Sequence, residues 1–303
     1  MRFYFAPLEG ITDSIYRQLH HRYYPGIDRY YTPFLSPTVH RTLTRKECKE
    51  IPPAHTLDYS CVPQILTKDS NNFLWLAQQC ADLGYSEVNL NLGCPSGTVT
   101  AKGKGSGMLR DPDSLKQFLD AIFSNSPIPI SLKTRIGFSD PEEFPKILDI
   151  FNCYPVCELI IHPRVRNDFY NGSINIETYT YAAANSCAPV CYNGDITSID
   201  QTKILPTTDR VMIGRGLISH PGMLINDTDT RKLHCFLEEL LEAYAREFNS
   251  KKNAMFRLKE HWYYLQRSFT DCEKMIKQLR KTTDISTFIQ ITEAIFSTCA
   301  FRP

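Results

Sequence analysis

Eight short runs of apolar and β-branched residues, each followed by turn residues and then by a helical pattern, set the strongest constraint on how this chain can fold. They lie near Phe3–Ala6, Tyr30–Phe34, Cys61–Leu66, Glu87–Leu92, Ile128–Arg135, Leu159–His162, Val190–Tyr192 and Val211–Gly214. Helix-start signals stand between them: Thr12-Asp13-Ser14 before Ile15–His21, Asp69-Ser70 before Asn72–Leu83, and Asp111-Pro112-Asp113 before Ser114–Ser124. Side chains of this kind accept hydrogen bonds from the free N–H groups of a first helical turn. Eightfold strand and helix alternation predicts an α/β protein, a (β/α)8 barrel of the TIM type, with its active site at the carboxyl ends of the strands.

The period changes near residue 228. Leu233, Phe236, Leu237, Leu240, Leu241, Tyr244 and Phe248 follow helical spacing, and Met255, Leu258, Trp262, Leu265 and Phe269 recur in steps of three and four. Two more short helices fit Cys272–Lys281 and Ile285–Cys299, the second after Asp284 as a cap. The expected organisation is a barrel over residues 1–228 and a small C-terminal helical bundle over 229–303, with Trp262 as core. Residues 231–303 hold 13 Lys and Arg against 9 Asp and Glu, so the overall charge of +1 divides into +4 there and −3 in the body. A basic appendage is compatible with a polyanion partner.

Bulk properties exclude other classes. At 42% hydrophobic and 22% charged residues the composition is that of a soluble globular protein. No apolar run approaches the ~18 residues of a membrane span, and the N-terminus meets Pro7 and Glu9 too soon for a signal peptide. Eleven cysteines without a secretion signal point to reduced thiols in the cytoplasm. The Cys153-x3-Cys157 and Cys187-x3-Cys191 spacings depart from those of zinc sites, and no metal is expected.

The chemistry-bearing residues stand at strand ends. Cys94 follows the alternating run Glu87–Leu92, is flanked by Gly93 and Pro95, and opens a loop with Gly97, Gly103, Gly105 and Gly107 and the cations Lys102, Lys104 and Arg110. Most cysteines are small buried hydrophobes, but a thiol in a cationic, glycine-rich loop is placed as a reagent. The first strand ends in Ala6-Pro7-Leu8-Glu9-Gly10, a turn tight enough to lie against a flat ligand. The third delivers Gln64, an amide with donor and acceptor, although a strand Gln is commonly an exposed edge residue. The fifth carries Lys133, which needs an anionic or hydrogen-bonding partner in so apolar a run, and the sixth carries His162 and Arg164. Glycine turns end the seventh and eighth strands, Asn193-Gly194-Asp195 and Gly214-Arg215-Gly216, where barrels of this class bind phosphate.

Asn91-Leu-Gly93-Cys94-Pro95 with the loop ending Gly107-Met-Leu109, the opening Ala6–Asp13, Lys133 with Arg135, His162 with Arg164, and the two glycine turns together resemble the tRNA-dihydrouridine synthase family. The resemblance covers most of the chain and implies FMN, reduced by NADPH or NADH, transferring hydride to C6 of a uridine in tRNA. It also implies that Cys94 protonates C5 and that the C-terminal helices help to bind tRNA. Asn91, Lys102 and Arg164 would meet the substrate. Pro7, Leu8, Glu9, Gln64, Lys133 and His162 would line the flavin, and Asn193, Gly194, Asp195, Gly214 and Arg215 would complete the FMN site around its phosphate. Hydride addition leaves enolate charge that a positioned acid must quench, so Cys94 has to arrive as a neutral thiol. Its pKa should therefore not be depressed, and Lys102 and Lys104 should face the RNA. A monomer is expected. Where the family often has His-Gly-Arg-Thr, this chain has His162-Pro163-Arg164-Val165. Two other readings compete: an FMN barrel like dihydroorotate dehydrogenase acting on a free pyrimidine, and a non-catalytic tRNA-binding protein.

Overall fold

A computed structural model describes every residue except 204, 206 and 207. Its nine parallel strands are β1 (Arg2–Phe5), β2 (Arg29–Tyr31), β3 (Cys61–Val62), β4 (Gln64–Ile65), β5 (Val88–Leu92), β6 (Ile130–Arg135), β7 (Leu159–His162), β8 (Val190–Tyr192) and β9 (Arg210–Ile213). They form one sheet in the order β3-β2-β1-β9-β8-β7-β6-β5-β4. The two end strands are halves of a single run separated by Pro63, which has no N–H to give to a ladder. The eight expected strands are therefore the nine observed, and the sheet closes through that proline into a barrel. The expected strand Tyr30–Phe34 ends sooner, at Tyr31.

Register sets the site's layout. Gln64 pairs with Asn89, Asn91 with Lys133, and Arg135 with His162, so four adjacent strands, β4 to β7, deliver polar residues in register. Below them Tyr4, Ala6, Tyr31, Val62, Ile160, Cys191 and Met212 fill the barrel interior, with Leu8 packed partly against them.

The helices are α1 (Ser14–Tyr23), α2 (Arg45–Glu50), α3 (Ser70–Asp82), α4 (Gly97–Thr100), α5 (Pro112–Asn125), α6 (Phe144–Phe151), α7 (Ile176–Asn185), α8 (Asp200–Lys203), α9 (Arg215–Ser219), α10 (Thr230–Phe248), α11 (Lys251–Leu265), α12 (Glu273–Lys281) and α13 (Ile285–Thr298). The capping signals work as expected: Asp13, Asp69, Asp111 and Asp284 each accept a backbone N–H in the first turn of α1, α3, α5 and α13. Sequence periodicity passed over α2, which Thr44 and Glu47 start with a capping box.

The chain forms two compact units. One comprises Met1–Glu9, Asp28–Asp195 and Ile204–Ile213 and contains the barrel strands. The other comprises Gly10–Ile27, Ile196–Lys203 and Gly214–Pro303. Within the second, Tyr16 stacks on His261 at 4.9 Å and meets Phe236 edge-on, while the Tyr244 hydroxyl donates to Asp13 at 3.0 Å. His261 is buried, its ring nitrogens at the carbonyls of Ile11 and Arg257, and burial lowers its pKa. Trp262 packs against Phe269 and Phe296 as the expected core residue. A two-stranded antiparallel ribbon, β10 (Phe269–Thr270) with β11 (Ala300–Phe301), was too short to read from sequence.

Candidate active site

Cys94 is held by its neighbours rather than left on a free loop. Asn91 Oδ1 accepts the N–H groups of Gly93 at 3.1 Å and Cys94 at 2.9 Å, an Asx turn at the carboxyl end of β5. Asn91 Nδ2 donates to Gln64 Oε1 at 2.7 Å, Gln64 Nε2 to Asn89 Oδ1 at 2.8 Å, and Asn89 Nδ2 to Ser131 Oγ at 2.8 Å. This relay is buried, with Gln64, Asn89 and Asn91 at 1%, 0% and 7% exposure, so Gln64 is no edge residue. Each amide fixes the next, and the last fixes the cysteine backbone. On the other side Ser106 closes the loop, its N and Oγ donating to the Cys94 carbonyl at 3.2 and 2.8 Å. Gly105, at φ +57°, lets that closure happen: a Cβ there would lie 2.9 Å from the Cys94 oxygen.

The Cys94 thiol is half-buried, and burial pushes its pKa up against the pull of the Ser96 backbone, Arg135 and Lys133. It is a neutral thiol at physiological pH, as a proton donor requires.

Lys133 points its ammonium at Asn193 Oδ1, 2.7 Å away, and Asn193 Nδ2 donates on to the Met212 carbonyl at 2.8 Å. Although part of the side chain is accessible, the ammonium is enclosed by the barrel, and burial followed by repulsion from Arg135 brings its pKa down to about 8. Arg135 spends its guanidinium on three carbonyls, those of Gly93, Val165 and Phe169. It thereby ties the Cys94 turn to the loop after β7. Arg164 is buried, paired with Asp195 at 2.5 Å and bonded to the Gly172 carbonyl, with His162 Nε2 3.3 Å from its Nη1. Tyr170 caps this group, 6.1 Å from the His162 ring and 5.3 Å from the Arg135 guanidinium. Pro163 fits the loop: its carbonyl accepts from Asn175 N at 2.9 Å, and its ring packs near buried Gly194.

The remaining expected residues are dispersed. Glu9 is exposed and paired with Lys46 at 2.8 Å. Pro7 and Leu8 are half-buried, and Lys102 is exposed. Gly214 and Arg215, in the second unit, begin the short helix α9. Of the basic tail residues, Arg257 donates to the Gly10 carbonyl, Lys259 to those of Arg280 and Thr282, and Lys251 pairs with Glu242. Sequence reasoning missed Asn89 and Ser131, although the alternation Asn89-Leu90-Asn91-Leu92 places both asparagines on one face. None of the eleven cysteines forms a disulfide.

Comparison with known proteins agrees with this geometry. A probable tRNA-dihydrouridine synthase 1 of Synechocystis sp. is 26% identical, over 97% of this chain and 86% of its own. The tRNA-dihydrouridine(16) synthase of Escherichia coli K12 is 27% identical, over 96% of this chain and 98% of its own. Among solved structures, morphinone reductase shares the barrel fold, with a TM-score of 0.51 at 11% identity over 74% of this chain and 84% of its own. The family profile described as Dihydrouridine synthase (Dus) matches residues 4–297, nearly the whole length, and the chain belongs to that family.

Proposed function

We propose that this protein reduces uridine to 5,6-dihydrouridine in tRNA, with FMN as its flavin, NAD(P)H as reductant and Cys94 as the proton donor. Membership of the dihydrouridine synthase family supports the reaction. The single observation that carries the assignment is a half-buried, neutral thiol held by Asn91 at the end of β5, beside a cationic wall of Lys133 and Arg135.

The residues fit FMN. Among the described residues Lys133 has only the neutral Asn193 as hydrogen-bond partner, so an electron-rich ring edge would complete its surroundings, and the Gln64 amide lies two strands away on the same sheet. Leu8 and the interior cluster beneath it offer an apolar floor for a flat ring. Bound there, reduced FMN would supply hydride to C6 of the uracil. The chain does the rest. Cys94 Sγ–H gives its proton to C5 as charge builds there, the Asn91 turn aims it, and Arg135 fixes the turn from the opposite side. Because both polar ends of the Asn91 side chain are engaged within the protein, its part is to position Cys94. His162, Arg164 and Tyr170 form the wall that the base meets, with Asp195 holding Arg164. Pro7, Glu9, Asn193 and Gly194 complete the FMN site.

Extracting a uridine from folded tRNA costs a few kcal/mol, which RNA contacts must offset. We assign that work to residues 229–303, through Lys252, Lys274, Lys277, Arg280 and Lys281, and the chemistry to residues 1–228. Among the described residues no helix is long and apolar enough to cross a membrane, and the site of action is the cytoplasm, as a monomer.

Purified protein should carry yellow FMN that NADPH bleaches, and should form dihydrouridine in tRNA from a strain lacking it. Cys94→Ala should keep the flavin and its bleaching while uridine reduction falls at least ~100-fold, the usual scale for a lost general acid. Unchanged turnover would sink the proton-donor role, and oxidation of free dihydroorotate without action on tRNA would overturn the reaction itself.

A further inference from the structure

Three lysines converge on the loop that carries Cys94. Lys68, in the turn between β4 and α3, lies along Gly103: a methyl group built there would sit 3.6 Å from Lys68 Cδ and 3.7 Å from its Nζ. Gly103, at φ +68°, separates Lys102 from Lys104. The Lys104 ammonium is half-buried, 3.2 Å from Ser36 Oγ, and its pKa is lowered by burial first and then by Lys102 and Lys68.

Among the described residues none of the three pairs with a carboxylate, although other lysines do: Lys46 with Glu9 at 2.8 Å and Lys116 with Asp120 at 2.9 Å. The acids on the same stretches are committed elsewhere. Asp69 caps α3 through Asn72 N, and Glu47 holds Ser36 N at 2.8 Å and the Thr44 cap. Three close cations without an internal counter-charge repel one another, and an anion seated among them would replace repulsion with charge-assisted bonds. The loop itself gives the cluster a mechanical consequence. Lys102 N and Lys104 N both donate to the Val99 carbonyl, and two residues further on Ser106 closes onto Cys94.

We propose that Lys68, Lys102 and Lys104 cradle one backbone phosphodiester of the RNA strand that carries the target uridine, and that this phosphate fixes the Cys94 loop for catalysis. The inference rests on tRNA being the substrate. Lys68 and Lys104 are then positioning residues, one from the turn after β4 and one from the Cys94 loop, which the bound strand would hold together. An RNA phosphodiester suits the cradle because it brings the charge together with the base that must reach Cys94.

The test is tRNA affinity as a function of KCl concentration for the FMN-loaded protein and for Lys68→Gln and Lys68→Arg. Lys68→Gln should bind tRNA roughly 5–10-fold more weakly and reduce the log–log salt slope by roughly 0.7–0.9, the loss of about one phosphate contact. It should raise KM and lower kcat on tRNA while leaving FMN content and flavin bleaching by NADPH unchanged, and Lys68→Arg should restore both affinity and slope. Wild-type affinity and slope in Lys68→Gln, in a preparation that still reduces tRNA uridine, would overturn the cradle and leave the function standing. Wild-type protein that neither binds nor reduces tRNA would overturn both.

Discussion

The two ends of the barrel bury polar groups to opposite purposes. At the amino ends, Glu158 accepts from Tyr4 at 2.9 Å and pairs with Arg210 at 3.2 Å and Arg29 at 3.5 Å, and Arg29 also reaches Glu87 at 2.8 Å. Two carboxylates meet two guanidiniums, and the charge closes on itself. At the carboxyl ends, Lys133 has a neutral amide and Arg135 has carbonyls, so their charges are solvated by dipoles but not neutralised. Directions of titration agree. Burial opposes the Arg29 charge, yet Glu87 and its neighbours more than offset this and leave its pKa raised. Among the described residues Lys133 has no such carboxylate, and burial wins. A balanced cluster holds the fold together; an unbalanced one keeps a place for a ligand.

The largest expected effect tests the balanced end. Arg29→Met strands Glu87 and leaves Glu158 to Tyr4 and Arg210, and since Arg29 is partly exposed the loss should be about 2–4 kcal/mol, between the ranges for surface and fully buried pairs. Burial already raises the Glu158 pKa against the Tyr4 hydrogen bond and Arg29. A raised carboxyl binds its proton more tightly folded than unfolded, so acid should restore part of the lost stability. Chemical denaturation at two pH values reads both, and FMN occupancy of the folded protein should not change. Lys133→Met should do the reverse: stability of the unliganded protein stays level or rises, because a buried cation is removed, while FMN binding weakens by about 1.5–3 kcal/mol, the worth of a hydrogen bond to a charged group. If both variants lost stability alike, the contrast between the two ends would be gone.

Much of this contrast was legible in the sequence, and what was not has a physical reason. Strand identity followed from apolar runs, and Lys133 and Gln64 stood out because each interrupts one, Cys94 because it follows one into a glycine-rich loop. The amide relay through Asn89 and Ser131 did not stand out, because it depends on register between strands 25 and 42 residues apart. Pairing of Glu87 and Glu158 with Arg29 and Arg210 was hidden for the same reason, since each residue alone reads as a solvated strand flank. The basic residues of 231–303 read together as compatible with a polyanion, yet Arg257 and Lys259 among them serve backbone carbonyls at helix and turn ends. Composition cannot tell a cation that waits for RNA from one that closes a helix. The Lys68 cradle was illegible because its glycine and its lysine come together only through the fold.

The smallest effect is also the most diagnostic of Lys133. With its unliganded pKa brought down to about 8, Lys133 is charged at neutral pH and loses its proton above that value. In the unfolded chain an ordinary lysine titrates near 10.4, so between these limits the unfolded state binds more protons and this group makes unliganded stability rise with pH. Flavin binding should run the other way. An electron-rich ring edge beside the ammonium favours its charged form and raises its pKa, so the complex holds a proton that the free protein has lost. FMN affinity should therefore be flat below pH 8 and weaken above it, by at most about tenfold per pH unit. Fluorescence titration of FMN from pH 7 to pH 9.5 reads the slope directly, and Lys133→Met should abolish it. A slope that survives in Lys133→Met would move the titration to another group and leave the barrel's open charge without its partner.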